Sequence, residues 1–292
     1  MARTREEMLA ALTAEPKVQA LVVGGGINGI SAFRELALQG VDVLLVDRGD
    51  FCGACSAAPS RMIHGGLRYL ENGEFALVRE SLQERDALLR NAAHMVRPLP
   101  TTVPIQRTFS GLFNGLTGML GIRGRPAERG ALAVKTGLWL YDRLSRRRRT
   151  LPPHVFRGRT ATARLWPDLP PNVRWSATYH DAWISHPERL GIELLQDATQ
   201  AHDGALAVNH LAAIGRDGDS ILLADALTGA EVAVRPQVIV NATGAWVDET
   251  NLAVADPGMR PRPLVGGTKG SHLILDHPAL LQALKGHMIY FE

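Results

Sequence analysis

Cysteine is almost missing from this sequence. There are two in 292 residues, Cys52 and Cys55. Two cysteines cannot make the disulfide framework of a small secreted scaffold, and no further Cys or His pair at ligand spacing accompanies them. The surrounding stretch "FCGACSAAPS" is small and loop-like, so the pair is expected to be two small residues of a tight loop, and no metal site is expected. Charge of one sign is lacking too: 32 Lys and Arg stand against 29 Asp and Glu, a net +3 that gives bulk charge no argument for nucleic acid. No aromatic residues interleave with the arginine run "RLSRRRR", which removes the usual stacking partners of a single strand. Long apolar runs are also missing. None reaches the length of a membrane span, and the N-terminal "MARTREEMLAALTAEPKV" has no apolar signal core. These absences lead to the expectation of a cytoplasmic protein, with attachment to the inner membrane surface left open.

What is present is glycine and buried-strand patterning. The chain has 29 glycines and 46% hydrophobic residues, enough for one complex domain or two. Val18–Val23 reads as a fully buried strand, Ile27 to Gln39 as a helix with Ile30, Phe33, Leu36 and Ala37 at helical spacing, and "VDVLLVD" as a second buried strand. That is β-α-β in about thirty residues, the unit of a parallel sheet. Residues 74–92 form a clear amphipathic helix, "PLPTTVPI" an extended segment of another sheet, 110–130 a glycine-rich excursion, and 131–149 a helix ending in arginines. A helix over 188–202 precedes strands separated by D-G and T-G turns, the last being "QVIVNATG".

The spacing Gly24-x-Gly26-x-x-Gly29 gains weight from its place between a buried strand and a helix. Gly24 permits a tight turn, Gly26 lets backbone approach a pyrophosphate, and Gly29 lets helix pack on strand. Asp47 follows at the distance expected of the acid that accepts hydrogen bonds from a ribose, which argues against a 2′-phosphate. A nicotinamide domain would continue in regular β-α-β units. Here "GACSAAPSRMIHGGLRYLENGEF" follows instead, rich in small, hydroxyl and polar residues of the kind a flavin's ribityl chain and ring require.

"GGGINGISA", "SRMIHGGLRYLENGEFALVRESLQERDALLRNAAH", "GLWLYDRL", "VNATGAWVD" and "KGSHLIL" together resemble the FAD-dependent glycerol-3-phosphate dehydrogenases, in order from about residue 18 to the end. The resemblance implies a two-part α/β fold, with a Rossmann-like FAD-binding domain over 17–85 and 186–262. A substrate cap on a mixed or antiparallel sheet would occupy 86–185 and 263–292. Because such relatives continue well beyond the "HMIYFE" of this chain, the fold is expected to be C-terminally incomplete.

By that resemblance the glycine turn and Asp47 hold the adenosine half of FAD. Ser56, Ser60 and Arg61 line its pyrophosphate and ribityl chain, Arg61 standing where the family usually has lysine. His64, Gly65 and Gly66 flank the flavin ring, where backbone N–H groups can stabilise the reduced flavin's charge. Arg68 and Tyr69 lie near the substrate phosphate, against the plainer reading of Arg68 as surface charge. Thr243 and Gly244 return to the flavin, and Val208 sits by the adenine through its backbone. His272 leads as the base that takes the hydroxyl proton, with a solvent-facing strand histidine as the even alternative; Lys269 adds positive field.

The implied reaction oxidises the secondary alcohol of glycerol 3-phosphate to dihydroxyacetone phosphate, with a membrane quinone as electron acceptor. The arginines of Arg143–Arg149 suit either an anionic lipid surface or a solvated helix end. The family's usual acidic pair is replaced by Ser185-His186-Pro187, although Asp181 is retained. Two other readings stay open: a relative in the wider amine- and hydroxy-acid-oxidising group, and a noncatalytic flavin-binding fragment. Oligomeric state is not set by the sequence.

Overall fold

The structure, a computed structural model, describes residues 3–66, 69, 73–107, 130–145, 150–256 and 258–291. Packing divides the chain into two compact units, Met1–Pro59 with His186–His272, and Ser60–Ser185 with Leu273–Glu292. Most of the glycine-rich excursion and Arg146–Arg149 lie outside the described residues.

The first unit is built on a six-stranded sheet. Its strands are β1 (Lys17–Val23), β2 (Val43–Val46), β7 (Ala205–Val208), β8 (Leu211–Asp217), β9 (Ser220–Asp225) and β10 (Glu231–Asn241), in the order β7-β2-β1-β10-β9-β8. The first four of that order are parallel; β10 then uses its N-terminal half to pair antiparallel with β9 and its C-terminal half to pair parallel with β1. Parallel strands covered on both faces need apolar residues of both parities. Here Leu21, Val23, Leu44 and Val46 enter one core, packed with Leu12 of α1 (Arg5–Ala14) and Val254 of α7 (Val247–Val254). Ala20, Val22, Val43 and Leu45 enter the other, packed with Ile30 and Phe33 of α2 (Ile27–Leu38) and Leu195 and Ala198 of α6 (Pro187–Ala201). The result is three layers, with the turn after β1 opening α2.

The second unit holds β3 (Met62–Ile63), α3 (Phe75–Asn91), β4 (Val96–Ile105), α4 (Ala131–Ser145), β5 (Val155–Arg157), α5 (Arg159–Leu165), β6 (Trp175–Ile184), α8 (Pro278–Leu284) and β11 (Met288–Ile289). Its mixed sheet runs β11-β4-β6-β3, with β5 sharing the edge of β6 that β3 uses at the far end. Only β11 is parallel to its neighbour. Three prolines inside β4 are tolerated because Pro98, Pro100 and Pro104 share the parity of Thr102. The Thr102 carbonyl accepts from the Tyr290 N–H, so groups of that parity point away from β6, and the missing N–H groups cost the long β4–β6 ladder nothing. Val78 and Leu82 of α3 and Val134, Leu138 and Tyr141 of α4 close one face of this sheet over Val103, Ile105, Ala177 and Tyr179.

Two boundaries differ from expectation. Residues 60–85 are expected in the cofactor domain, yet α3 buries Val78 and Leu82 against the second sheet, so the change of unit falls at Pro59. Likewise residues 263–272 group with the first unit and 273–292 with the second.

Candidate active site

In the first unit β1 delivers the chain to Gly24 at φ 107°, a left-handed backbone reserved for glycine. A Cβ there would stand 2.7 Å from the Ala242 carbonyl carbon, so β10 returns directly against the turn. A Cβ on Gly29 would overlap the Gly24 carbonyl oxygen, which is the close helix-to-strand approach that the third glycine was expected to allow. Gly26 is the N-cap of α2 and has no side chain to cap it. The positive end of the helix is therefore turned toward whatever binds in the turn. Ser56 Oγ accepts from the Ile27 N–H at 3.0 Å and so belongs to this mouth.

Asp47 lies at the end of β2. Its Oδ2 accepts from the Gly25 N–H at 2.6 Å and its Oδ1 from the Gly49 N–H at 2.8 Å, which fixes the carboxylate beside the glycine turn. Val208, at the end of β7, is buried and its carbonyl accepts from the Asp47 N–H, so these two expected cofactor residues are adjacent. Asn209 follows, donating to Asp50 Oδ1 at 2.9 Å; that bond is the main cause holding the Asp50 carboxyl below its ordinary value. On the other side of the turn, Thr243 donates its hydroxyl to Asn241 Oδ1 at 2.6 Å, and Gly244 adopts φ 59°. Gly24, Gly26, Gly29, Asp47, Ser56, Val208, Thr243 and Gly244 thus gather at one end of one sheet. The C-x-x-C does not behave as a pair: Cys52 is buried with its thiol pushed up, chiefly by burial, and Cys55 is exposed.

The second unit contains Ser60, Arg61, His64, Gly65, Gly66 and Tyr69; Arg68 lies outside the described residues. Ser60 and the Arg61 side chain are exposed, and Arg61 adopts φ 59° as it enters β3. His64 and Tyr69 approach with ring centroids 6.4 Å apart, and Gly66 at φ 70° sits under the Tyr69 ring, where a Cβ would meet it. The Gly65 N–H was expected to be available to a reduced flavin. It is instead donated inward to Asp181 Oδ1 at 3.0 Å, fully buried.

That contact exposes residues the sequence reading gave no role. Asp181 Oδ1 also accepts from Tyr141 OH at 2.9 Å and Arg85 Nη1 at 3.2 Å, while Arg85 Nη2 binds Asp86 Oδ1 at 2.9 Å. Burial, reinforced by the Asp181 charge, pushes the Tyr141 phenol well above its ordinary value, so it remains a donor. Only the retained Asp181 hinted at this network, because its members lie up to 96 residues apart along the chain. His272 is in an exposed segment without regular structure. Among the described residues no cluster of His, Cys, Asp or Glu could hold a metal ion.

A family model described as FAD dependent oxidoreductase matches residues 19–291. The chain belongs to that family. FAD is the cofactor this membership carries. The first unit fits it, with an uncapped helix N-terminus, a turn that tolerates no Cβ at Gly24 or Gly29, and a fixed carboxylate beside it. The chain is 36% identical over 270 residues to a glycerol-3-phosphate dehydrogenase of Synechocystis sp., an alignment covering 88% of this chain and 45% of the relative. It is 33% identical to glycerol-3-phosphate dehydrogenase 2 of Mycobacterium bovis, over 87% of this chain and 40% of the relative. It therefore spans about half the length of the curated relatives it matches. Among solved structures, glycerol-3-phosphate dehydrogenase from Bacillus halodurans complexed with FAD shares the fold at TM-score 0.59 and 20% identity, over 85% of this chain and 38% of that one. No helix among the described residues is long and apolar enough to cross a membrane.

Proposed function

We propose that this flavoprotein acts in the oxidation of sn-glycerol 3-phosphate to dihydroxyacetone phosphate. The observation that carries the reading is the glycine turn closed on β10 with Asp47 fixed beside it, in a chain similar to named glycerol-3-phosphate dehydrogenases over most of its length. When bound, FAD supplies the hydride acceptor. The chain's residues bind and orient. The N-terminus of α2 holds the pyrophosphate, Asp47 accepts from ribose hydroxyls, and Val208 meets the adenine through its backbone. Ser56, Ser60 and Arg61 line the ribityl chain. His64, Gly65 and Gly66 would flank the ring, with Gly65 anchored by Asp181, and Thr243 and Gly244 would contribute to holding the cofactor.

Arg68 and Tyr69 bind near the substrate phosphate, a task suited to a guanidinium fork. His272 takes the proton of the substrate hydroxyl at an imidazole nitrogen, as a neutral histidine can near physiological pH. Electrons leave for a membrane quinone, and the cluster from Arg143 onward touches the anionic inner face of the membrane. An anaerobic assay with a quinone analogue tests this. Dihydroxyacetone phosphate should accumulate with glycerol 3-phosphate and not with glycerol. Oxidation of an amino acid in place of the phosphate ester would overturn the substrate.

A further inference from the structure

Four ionisable side chains without an assigned task lie beneath the turn that follows β3. The side chains of Arg85 and Asp86 on α3 and Asp181 on β6 are each at most 4% exposed, and Tyr141 of α4 is buried with them. Arg85 Nη1 donates to Tyr141 OH at 2.9 Å, to the His180 carbonyl at 3.0 Å and to Asp181 Oδ1 at 3.2 Å. Its Nη2 donates to Asp86 Oδ1. The Tyr141 hydroxyl, having accepted from Arg85, donates in turn to Asp181 Oδ1 at 2.9 Å. The bonds therefore run one way, from Arg85 through Tyr141 to the oxygen that also accepts the Gly65 N–H.

Buried ions are a poor means of gaining stability. Taking the charges out of water offsets much of what their pairing returns, and apolar residues of the same volume serve a core as well. What a satisfied polar network does supply is a unique geometry. Here that geometry is imposed on one backbone group. Gly65 lies so close to the network that a Cβ would overlap the Tyr141 hydroxyl and stand 2.6 Å from Leu82 Cδ2. Its amide is held by a hydrogen bond and by contact together.

The next residue is bonded differently. Gly66 is buried, and its carbonyl accepts from the Tyr69 N–H at 2.8 Å. Among the described residues its own N–H has no partner. A buried residue whose amide finds no acceptor is uncommon. This one directly follows an amide whose direction is fixed.

We propose that the Arg85–Tyr141–Asp181 network is a positioning device for the cofactor: by drawing the Gly65 N–H inward, it holds the Gly66 N–H as the donor that this turn offers to an acceptor atom of the flavin. Tyr141 and Asp181 are positioning residues that act through Gly65. The donor they align stabilises the negative charge that the flavin gains on reduction. The placing of this turn at the flavin ring rests on the function proposed above.

The test uses the FAD-loaded full chain, isotopically labelled at its glycine nitrogens. It follows the amide resonances through reduction by dithionite, and reads the flavin's oxidised-to-reduced ratio against a dye of known potential. No substrate enters either measurement. In the parent, the Gly66 amide proton should move downfield on reduction as its hydrogen bond strengthens, and the Gly65 proton should move much less. Asp181→Ala should raise the oxidised-to-reduced ratio about tenfold at a fixed dye potential, about 30 mV for two electrons. Tyr141→Phe should raise it by less, and Asp181→Asn, which keeps an acceptor, should recover part of the Asp181→Ala loss. Glu84→Gln, in an exposed residue of α3, should leave the ratio and both resonances as in the parent. Circular dichroism and flavin stoichiometry check that each variant is folded and loaded. Where Asp181→Ala does not fold, Tyr141→Phe carries the comparison.

A parental ratio in folded, loaded Tyr141→Phe overturns the positioning role. So does a Gly65 proton that moves more than that of Gly66. If neither proton moves, the turn does not lie at the ring, and the proposal falls together with that part of the functional reading. A raised ratio in the variants of a chain whose flavin glycerol 3-phosphate does not reduce would retain the network and remove the substrate. Reduction by glycerol 3-phosphate with parental ratios in every variant would do the reverse.

Discussion

At the scale of single residues, the most exacting position is Gly29. Its missing Cβ is the space occupied by the Gly24 carbonyl, so Gly29→Ala must push α2 off β1. Overpacking of this kind costs about 1–3 kcal/mol, and it displaces the helix end that faces the phosphates. FAD titration followed by quenching of flavin fluorescence should show binding lost in Gly29→Ala while the circular dichroism of the second unit's elements persists. The two cysteines give a second residue-scale expectation. Buried Cys52, its thiol pushed up by burial, should resist iodoacetamide in the native chain, and exposed Cys55 should take it. Mass spectrometry showing one label before denaturation and two after would match; two native labels would contradict the burial. Beneath the His64–Gly66 turn, Asp181→Ala removes the shared acceptor of Gly65, Tyr141 and Arg85. Breaking a buried pair should cost about 3–5 kcal/mol in denaturant melts. Tyr141→Phe removes one bond and should cost about 1 kcal/mol.

At the scale of elements, α1 is held to the first sheet by a long-range ion pair. Arg5 Nη1 and Nη2 each lie 2.9 Å from a carboxylate oxygen of Asp225, which the Leu227 N–H and the Thr228 hydroxyl also approach at 2.9 and 2.8 Å. Only 2% of Asp225 is exposed. The Arg5 hydrogen bond leads the causes that hold its carboxyl far below the ordinary 3.8. A folded-state pKa below the unfolded one gives stability that is fully present above the unfolded value and lost as pH falls through the folded one. The contribution should therefore be constant from neutrality down to about pH 5 and fade in stronger acid. Hydrogen exchange in α1 measured against pH checks this: Asp225→Asn should open α1 at neutral pH to the extent that acid opens the parent.

Elements also show why some of the fold was legible and some was not. The β1-α2-β2 unit could be read because its signals are local: buried runs of both parities, one helical stripe and a glycine at each change of direction. The edge between domains could not. The apolar face of α3 announces that it packs but not on which sheet, and Val78 and Leu82 chose the second. Nor did β4 declare its partner. Its prolines mark an extended segment of another sheet without naming its neighbour, and parity lets it carry the longest ladder of the unit with β6.

For the whole molecule, the same division governs the site. The cofactor mouth in the first unit was legible because Gly24, Gly26, Gly29 and Asp47 lie within one β-α-β unit. The Arg85–Tyr141–Asp181 network was not, because it assembles residues from several elements that only the folded sheet brings together. The chain carries the FAD-dependent oxidoreductase fold over residues 19–291. The central claim, that this fold serves the oxidation of a phosphorylated alcohol, is tested most directly by one spectrum. The chain loaded with FAD is kept free of oxygen and its visible absorption recorded before and after glycerol 3-phosphate, with glycerol as the control. The account predicts loss of the oxidised-flavin band with the phosphate ester and no change with glycerol. Bound flavin that glycerol 3-phosphate leaves fully oxidised would contradict it.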